Sequence, residues 1–216
     1  MQSAADFYDE KYFKRQAPHG KIQGQANLFK FEQFIAPDAK VLDFGCGGGF
    51  LLNAITAADK IGIEINPMAV ASAKSLGVEK VYPDTSLVET GWADVIVSNH
   101  ALEHVEEPSR VLREFQRILR PGGKLIIVTP YDSVSMRFRE KDPDFHLHGW
   151  SPSNIGNLAK ATGFRVIEAK ELFHRWPPLW SVIWTKLGPG AFHVICWFYS
   201  LVSRKRTQVR LVAERL

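Results

Sequence analysis

Val41-Leu42-Asp43-Phe44-Gly45-Cys46-Gly47-Gly48-Gly49-Phe50 decides the fold. A short apolar run carrying one carboxylate ends in a string of glycines, and a helical pattern from Phe50 to Ala57 follows. In an open α/β sheet ligands bind beyond the carboxyl ends of the strands, so a glycine loop at that point lets backbone approach a ligand. Working outward, Ile61-Gly62-Ile63-Glu64-Ile65 reads as a second strand, with a helix after Pro67. Weaker and stronger strand patterns follow at 78–82, 93–98, 124–129, 164–169 and 208–213. Between them, 108–119 and 153–162 carry apolar residues at helical spacing, the second stopped by Gly163. Regular strand–helix alternation predicts an α/β, doubly wound, mostly parallel sheet. The chain of 216 residues fits one domain, 1–216. An aromatic, helical N-terminal cap covers 1–36, and an apolar insertion covers 173–204 between the last two strands.

Three details separate the loop from other nucleotide-binding loops. A dinucleotide fingerprint starting at Gly45 would need glycine or alanine at 50, where Phe50 stands; one starting at Gly47 would end on Leu52. No Gly-Lys-Ser/Thr follows, so the phosphate-loop reading fails. Asp43 would repel a pyrophosphate but attract an ammonium group. Glu64, 21 positions after Asp43, is placed to accept hydrogen bonds from ribose hydroxyls. Nicotinamide sites use the same carboxylate, so Glu64 alone does not distinguish the cofactors.

The stretch 41–49 resembles motif I of class I S-adenosylmethionine-dependent methyltransferases. Ser98-Asn99-His100-Ala101-Leu102-Glu103-His104-Val105 is similar to the fourth-strand motif of that family, and Leu119-Arg120-Pro121-Gly122-Gly123 to the segment entering its fifth strand. The likeness runs over 40–170 and is nearest the small-molecule group that includes ubiquinone-type O-methyltransferases. It implies a seven-stranded, Rossmann-like sheet with an antiparallel last strand and S-adenosyl-L-methionine as cofactor. It places Asp43, Gly45, Cys46 and Gly47 at the methionine end, Glu64 at the ribose and Ile65 against the adenine. Asp84 would stand near the adenine amino group and Asn99 under the methionine portion. Asp84-Thr85 departs from the acidic–apolar pair usual there.

Methyl transfer to a hydroxyl needs alignment, exclusion of water and a proton acceptor. His148 and His104 are the candidate bases. Alternatively Glu103, His104 and a loop histidine (His146 or His148) hold a divalent metal, or Glu103-His104 simply packs a helix on which His100, Glu103 and His104 share one face. The (Asp/Asn)-Pro-Pro-aromatic motif of nucleobase methyltransferases is replaced by Ser98-Asn99-His100-Ala101, which favours a small-molecule acceptor.

A net charge of +4 is too small to indicate nucleic acid, and none is expected as a partner. Two distant cysteines offer neither a disulfide framework nor a metal site, and the polar, acidic 1–9 lacks a secretory signal pattern, so a cytoplasmic location is expected. In the insertion, Trp176, Trp180 and Trp184 are spaced for one helical face; 191–202 is uncharged, and Arg204-Lys205-Arg206 follows. This predicts a lid shaping an apolar acceptor pocket, a dimer contact, or a peripheral contact with membrane or lipid. An oxidoreductase using a nicotinamide cofactor and a catalytically silent binding module remain the alternatives.

Overall fold

The computed structural model describes residues 19–131, 140, 145–203 and 207–216. Seven strands form one sheet: β1 Lys40–Phe44, β2 Asp59–Ile63, β3 Lys80–Tyr82, β4 Ala93–Asn99, β5 Leu119–Pro130, β6 Phe164–Leu172 and β7 Gln208–Arg215. Their order is β3-β2-β1-β4-β5-β7-β6, with β7 antiparallel to both neighbours and the other pairs parallel. The doubly wound sheet and antiparallel last strand expected from the sequence are both present. β5 is longer than predicted: it starts at Leu119 and passes through Pro121-Gly122-Gly123 as an irregularity in its pairing with β4.

Alternation along the central strands divides the core into two layers. Leu42, Ile96, Leu125 and Ile127 face one side with Phe115 of helix α4 (Pro108–Ile118) and Ile155 of α5 (Pro152–Ala161). Val41, Val95, Val97, Ile126 and Val128 face the other, against Leu51 and Leu52 of α2 (Phe50–Ala54) and Ala73 of α3 (Pro67–Ser75). Helix α5 is closed by Ser151, whose hydroxyl accepts from the Asn154 amide while Asn154 accepts from the Ser151 amide.

Of the N-terminal cap, helix α1 (Gly20–Leu28) and a 3₁₀ turn at Glu32–Phe34 are described; 1–18, including its aromatic residues, lies outside the described residues. Helix α1 rests on the first turn of α2. A Cβ at Gly20 would collide with the Phe50 ring, and one at Gly24 with the Phe50 backbone carbonyl.

The insertion forms α6 (Trp180–Ser203), broken at Gly188, whose φ of 79° lies ahead of Pro189. Trp176 is not helical, contrary to the spacing argument, because Pro177 and Pro178 precede the helix and cannot continue one from Trp176. It still meets Trp180, with ring centroids 4.4 Å apart. Together with Ile183 and Trp184 they pack on Ala26 of α1, Phe192 and Cys196. The tryptophan face is therefore spent on packing the insertion against α1.

Gly24→Ala should lower Tm, although alanine is the better helix former by about 1 kcal/mol. The added Cβ meets backbone that cannot swing aside, and overpacking of this kind costs about 1–3 kcal/mol. A thermal melt checks this; a higher Tm would mean that α1 does not sit on α2 as described.

Candidate active site

A cavity of about 770 Å³ opens at the carboxyl ends of β1, β2 and β4, bounded on one side by α1. Its volume lies within the range of small-molecule and cofactor sites. Asp43, Gly45, Cys46, Gly47, Glu64, Ile65, Asp84, Asn99 and His104 all line it. His148 lines neither this cavity nor the smaller one beside it; its Nε2 faces the Glu106 carbonyl at 3.4 Å.

The loop is shaped by its backbone. Gly45 (φ 72°) and Gly47 (φ 52°) are left-handed, which side chains resist. A Cβ at Gly45 would overlap Ala101, whereas Gly47 faces open space within the cavity. Gly45 N and Cys46 N both donate to the Ile63 carbonyl, tying the loop to the end of β2. The Cys46 side chain turns inward against Gly62, and burial raises its thiol pKa, so Cys46 serves through its backbone.

The electrostatics centre on two carboxylates. Glu64 is fixed at both oxygens: Oε2 accepts from Gly47 N (2.9 Å) and Oε1 from Asn66 N (2.8 Å). Each oxygen keeps a lone pair for a ligand hydroxyl. Asp43 is only 2% exposed, and among the described residues no hydrogen bond or ion pair engages its carboxylate. Burial, and then the nearby Glu64 charge, push its pKa up to about 7. A buried carboxylate at the cavity wall without a protein partner is suited to a ligand cation.

Ile65 is half exposed at the cavity, an apolar surface available to a flat ring. Asp84 accepts from Ser86 N (2.7 Å), and its hydrogen bonds to Ser86 hold the carboxyl below its ordinary value. Asn99 ends β4 and lines both cavities; its Oδ1 accepts from Lys30 Nζ at 3.3 Å.

After β4 the chain does not enter a helix at once. His100 takes φ 57°, and Leu102–His104 makes a single 3₁₀ turn, so His100, Glu103 and His104 do not share a helical face. Glu103 is fully buried. Its carbonyl accepts from Leu147 N and His148 N, which brings the loop onto this turn. His104 Nδ1 lies 3.2 Å from the Phe145 carbonyl and its Nε2 3.8 Å from Glu103 Oε1. Both ring nitrogens thus face protein groups. Ligand atoms of Glu103, His104 and His146 lie within 4.8 Å of one another, close enough to converge on one cation.

A family model described as a methyltransferase domain matches residues 13–169. The chain belongs to the class I S-adenosylmethionine-dependent methyltransferase family. Among curated proteins it is 34% identical over 102 residues to a ubiquinone biosynthesis O-methyltransferase of Xanthomonas oryzae pv. oryzae, a stretch covering 42% of this chain and 43% of that one. The match thus spans less than half of that relative. Among solved structures, a complex of the Haloferax volcanii Trm112 methyltransferase activator and a methyltransferase aligns at TM-score 0.71 and 17% identity, over 99% of this chain and 97% of that one. Phosphoethanolamine N-methyltransferase 2 of Haemonchus contortus, in complex with S-adenosyl-L-methionine, aligns at TM-score 0.62 and 19% identity, over 90% of this chain and 52% of that one. Identities this low speak for the fold alone. The cofactor of this family is S-adenosylmethionine, and Asp43, unpaired among the described residues, beside the anchored Glu64 would suit its ammonium and ribose.

Sequence reasoning missed what α1 and its following turn contribute, namely Gln23, Gly24 and Asn27 on the cofactor cavity and Lys30 beside Asn99. A lysine set between Phe29 and Phe31 was the available signal.

Affinity for S-adenosylhomocysteine should depend on pH through Asp43. The carboxyl must be ionised to meet an ammonium, so affinity falls as pH drops below about 7, by up to about tenfold per unit. Equilibrium dialysis from pH 5 to 8 measures it, and Asp43→Asn should flatten the profile while weakening binding. An unchanged slope in Asp43→Asn would assign the titration elsewhere.

Proposed function

We propose that this protein transfers a methyl group from S-adenosylmethionine to a hydroxyl of a small, partly apolar molecule. The observation that carries the reading is the buried Asp43 carboxylate, partnerless among the described residues, beside a Glu64 held by two backbone amides. Asp43 would hold the cofactor ammonium, Glu64 the ribose hydroxyls, Ile65 a face of the adenine and Asp84 its amino group. The Gly45–Gly47 backbone and Asn99 would bound the methionine portion. Bound there, the cofactor supplies an electrophilic methyl carbon. The protein's work is to align the acceptor, exclude water and take up a proton. The hydroxyl as acceptor is supported by the O-methyltransferase likeness and by the absence of a nucleobase motif after β4. A nicotinamide dinucleotide is disfavoured because its pyrophosphate would meet Asp43. A silent binding module has no use for so costly a buried carboxylate.

Of the two histidines read from the sequence as bases, His104 reaches the cavity, but its nitrogens are turned to Phe145 and Glu103. In this reading the Glu103–His104–His146 group pins the 145–148 segment to the turn after β4. Transfer of labelled methyl from S-adenosylmethionine to a panel of phenols and amines tests the proposal. Phenols should be labelled, turnover should persist in excess chelator, and Glu64→Ala should lower kcat/KM about 10- to 100-fold through lost charged hydrogen bonds. Labelling of amines alone, or loss of turnover in chelator, would contradict it.

A peripheral lipid contact is a second part of the reading. No helix among the described residues is long and apolar enough to cross a membrane. Yet Val194, Trp197, Phe198, Leu201 and Val202 are exposed at helical spacing along the outer side of α6. The basic run Arg204-Lys205-Arg206 comes next in sequence and suits anionic headgroups. A cytoplasmic enzyme built this way should sediment with anionic vesicles, and the double change Trp197→Ser and Phe198→Ser should abolish that. Equal sedimentation of the two proteins would remove the lipid contact.

A further inference from the structure

Beside the cofactor cavity lies a second one, of about 280 Å³, sharing Asn27, Asn99 and His100 with it. Lys30 lies in its wall, 1% exposed, with Nζ on Asn99 Oδ1 at 3.3 Å. Among the described residues no carboxylate pairs with this amine. Opposite are His174, which is 4% exposed, and Trp176. His174 Nε2 meets His193 Nδ1 at 3.0 Å, while its Nδ1 is buried without a hydrogen-bond partner. The pocket is therefore small, aromatic on one side, and carries in its wall a buried amine and a histidine whose Nδ1 has no hydrogen-bond partner. An apolar cleft with a few such groups is how small acceptors are recognised.

We propose that this second cavity receives the acceptor and that Lys30 Nζ is the catalytic proton acceptor for its hydroxyl. The proposal rests on the methyltransferase reading above. The neutral amine takes the hydroxyl proton, the O–H electron pair stays on oxygen, and the ammonium later returns the proton to water. The freed oxygen pair forms the new bond to the methyl carbon as the carbon–sulfur bond breaks, its electrons remaining on sulfur in S-adenosylhomocysteine. Asn99 orients the amine from the shared wall, and His174 offers Nδ1 to a second polar group on the acceptor.

The amine is available in the required form. Burial lowers the Lys30 pKa to about 7. Among the described residues, the titratable and charged groups facing it are His100 after β4, His174 and Arg175 after β6, His193 and Cys196 of α6, and Arg210 of β7. Glu32 acts on His193. Burial, followed by the Lys30 charge, holds His174 down to about 3, so it stays neutral and cannot compete as a base at neutral pH. Burial raises the Cys196 thiol to about 12, and Cys196 offsets the burial of Lys30 only in part.

The test uses Lys30→Met, which keeps length and removes a buried charge, and Lys30→Arg, which keeps the charge but cannot act as a base at neutral pH. Thermal melts first confirm that both fold. At saturating cofactor and acceptor, wild-type kcat should rise through about pH 7 to a plateau. Both variants should lose on the order of hundredfold and the rise with it. A readout without turnover is para-nitrophenol added to the S-adenosylhomocysteine complex. The visible nitrophenolate band should persist to lower pH than in buffer with wild type, and this shift should vanish with Lys30→Met. Folded variants with wild-type kcat and pH profile would overturn the role of Lys30 while leaving the function standing. Failure of the wild type to bind S-adenosylhomocysteine would overturn the methyltransferase reading and the proposal with it.

Discussion

Asp43 lies at the carboxyl end of a central strand, almost fully buried, where an unpaired charge is costly unless a cation meets it. Much of the surrounding architecture keeps that carboxylate in place and ready. β1 is flanked by β2 and β4, so the loop after it emerges at the point where successive strands diverge to opposite sides of the sheet. The left-handed glycines let the loop fold back over the strand end, and two amides anchored on Ile63 hold it there. Glu64 raises the Asp43 pKa further and is itself neutralised only in part, by Gly47 and Asn66 amides. In the proposed reading, a ligand with an ammonium at one end and hydroxyls further along would offset the cost of ionising Asp43 beside Glu64.

The sheet and this cofactor cradle were legible because both are local. Apolar runs, glycines and the positions of Asp43 and Glu64 follow one another within a few dozen residues. Boundaries shifted where local rules met geometry. β5 absorbs Pro121-Gly122-Gly123 as a bulge, and α2 ends at Ala54 rather than Ala57. His100, Glu103 and His104 looked helical by spacing, but a left-handed residue and a single 3₁₀ turn carry them, with His100 Nδ1 3.6 Å and His104 Nε2 3.8 Å from Glu103 Oε1.

The second cavity, proposed above for the acceptor, was not legible, because it is assembled from distant segments. Lys30 follows α1, His174 follows β6, His193 sits on α6 and Gln208 opens β7. Only the return of α6 onto α1, through Trp176, Trp180, Trp184 and Phe192 around Ala26, brings them together. The apolar insertion thus has two faces with different duties. Trp176 closes the wall of the second cavity, backed by Trp180 and Trp184, and the outer stripe remains exposed. Phe50, which rules out a dinucleotide fingerprint in the sequence, gains a positive role here as the surface on which Gly20 and Gly24 of α1 rest.

The measurement that bears most directly on this account is calorimetric titration with S-adenosylhomocysteine, repeated on Glu64→Ala and with NADH as comparator. Micromolar binding that weakens markedly in Glu64→Ala, with no heat from NADH, is the predicted result. Binding of NADH, or S-adenosylhomocysteine affinity unaffected by Glu64→Ala, would contradict the assignment of the cradle.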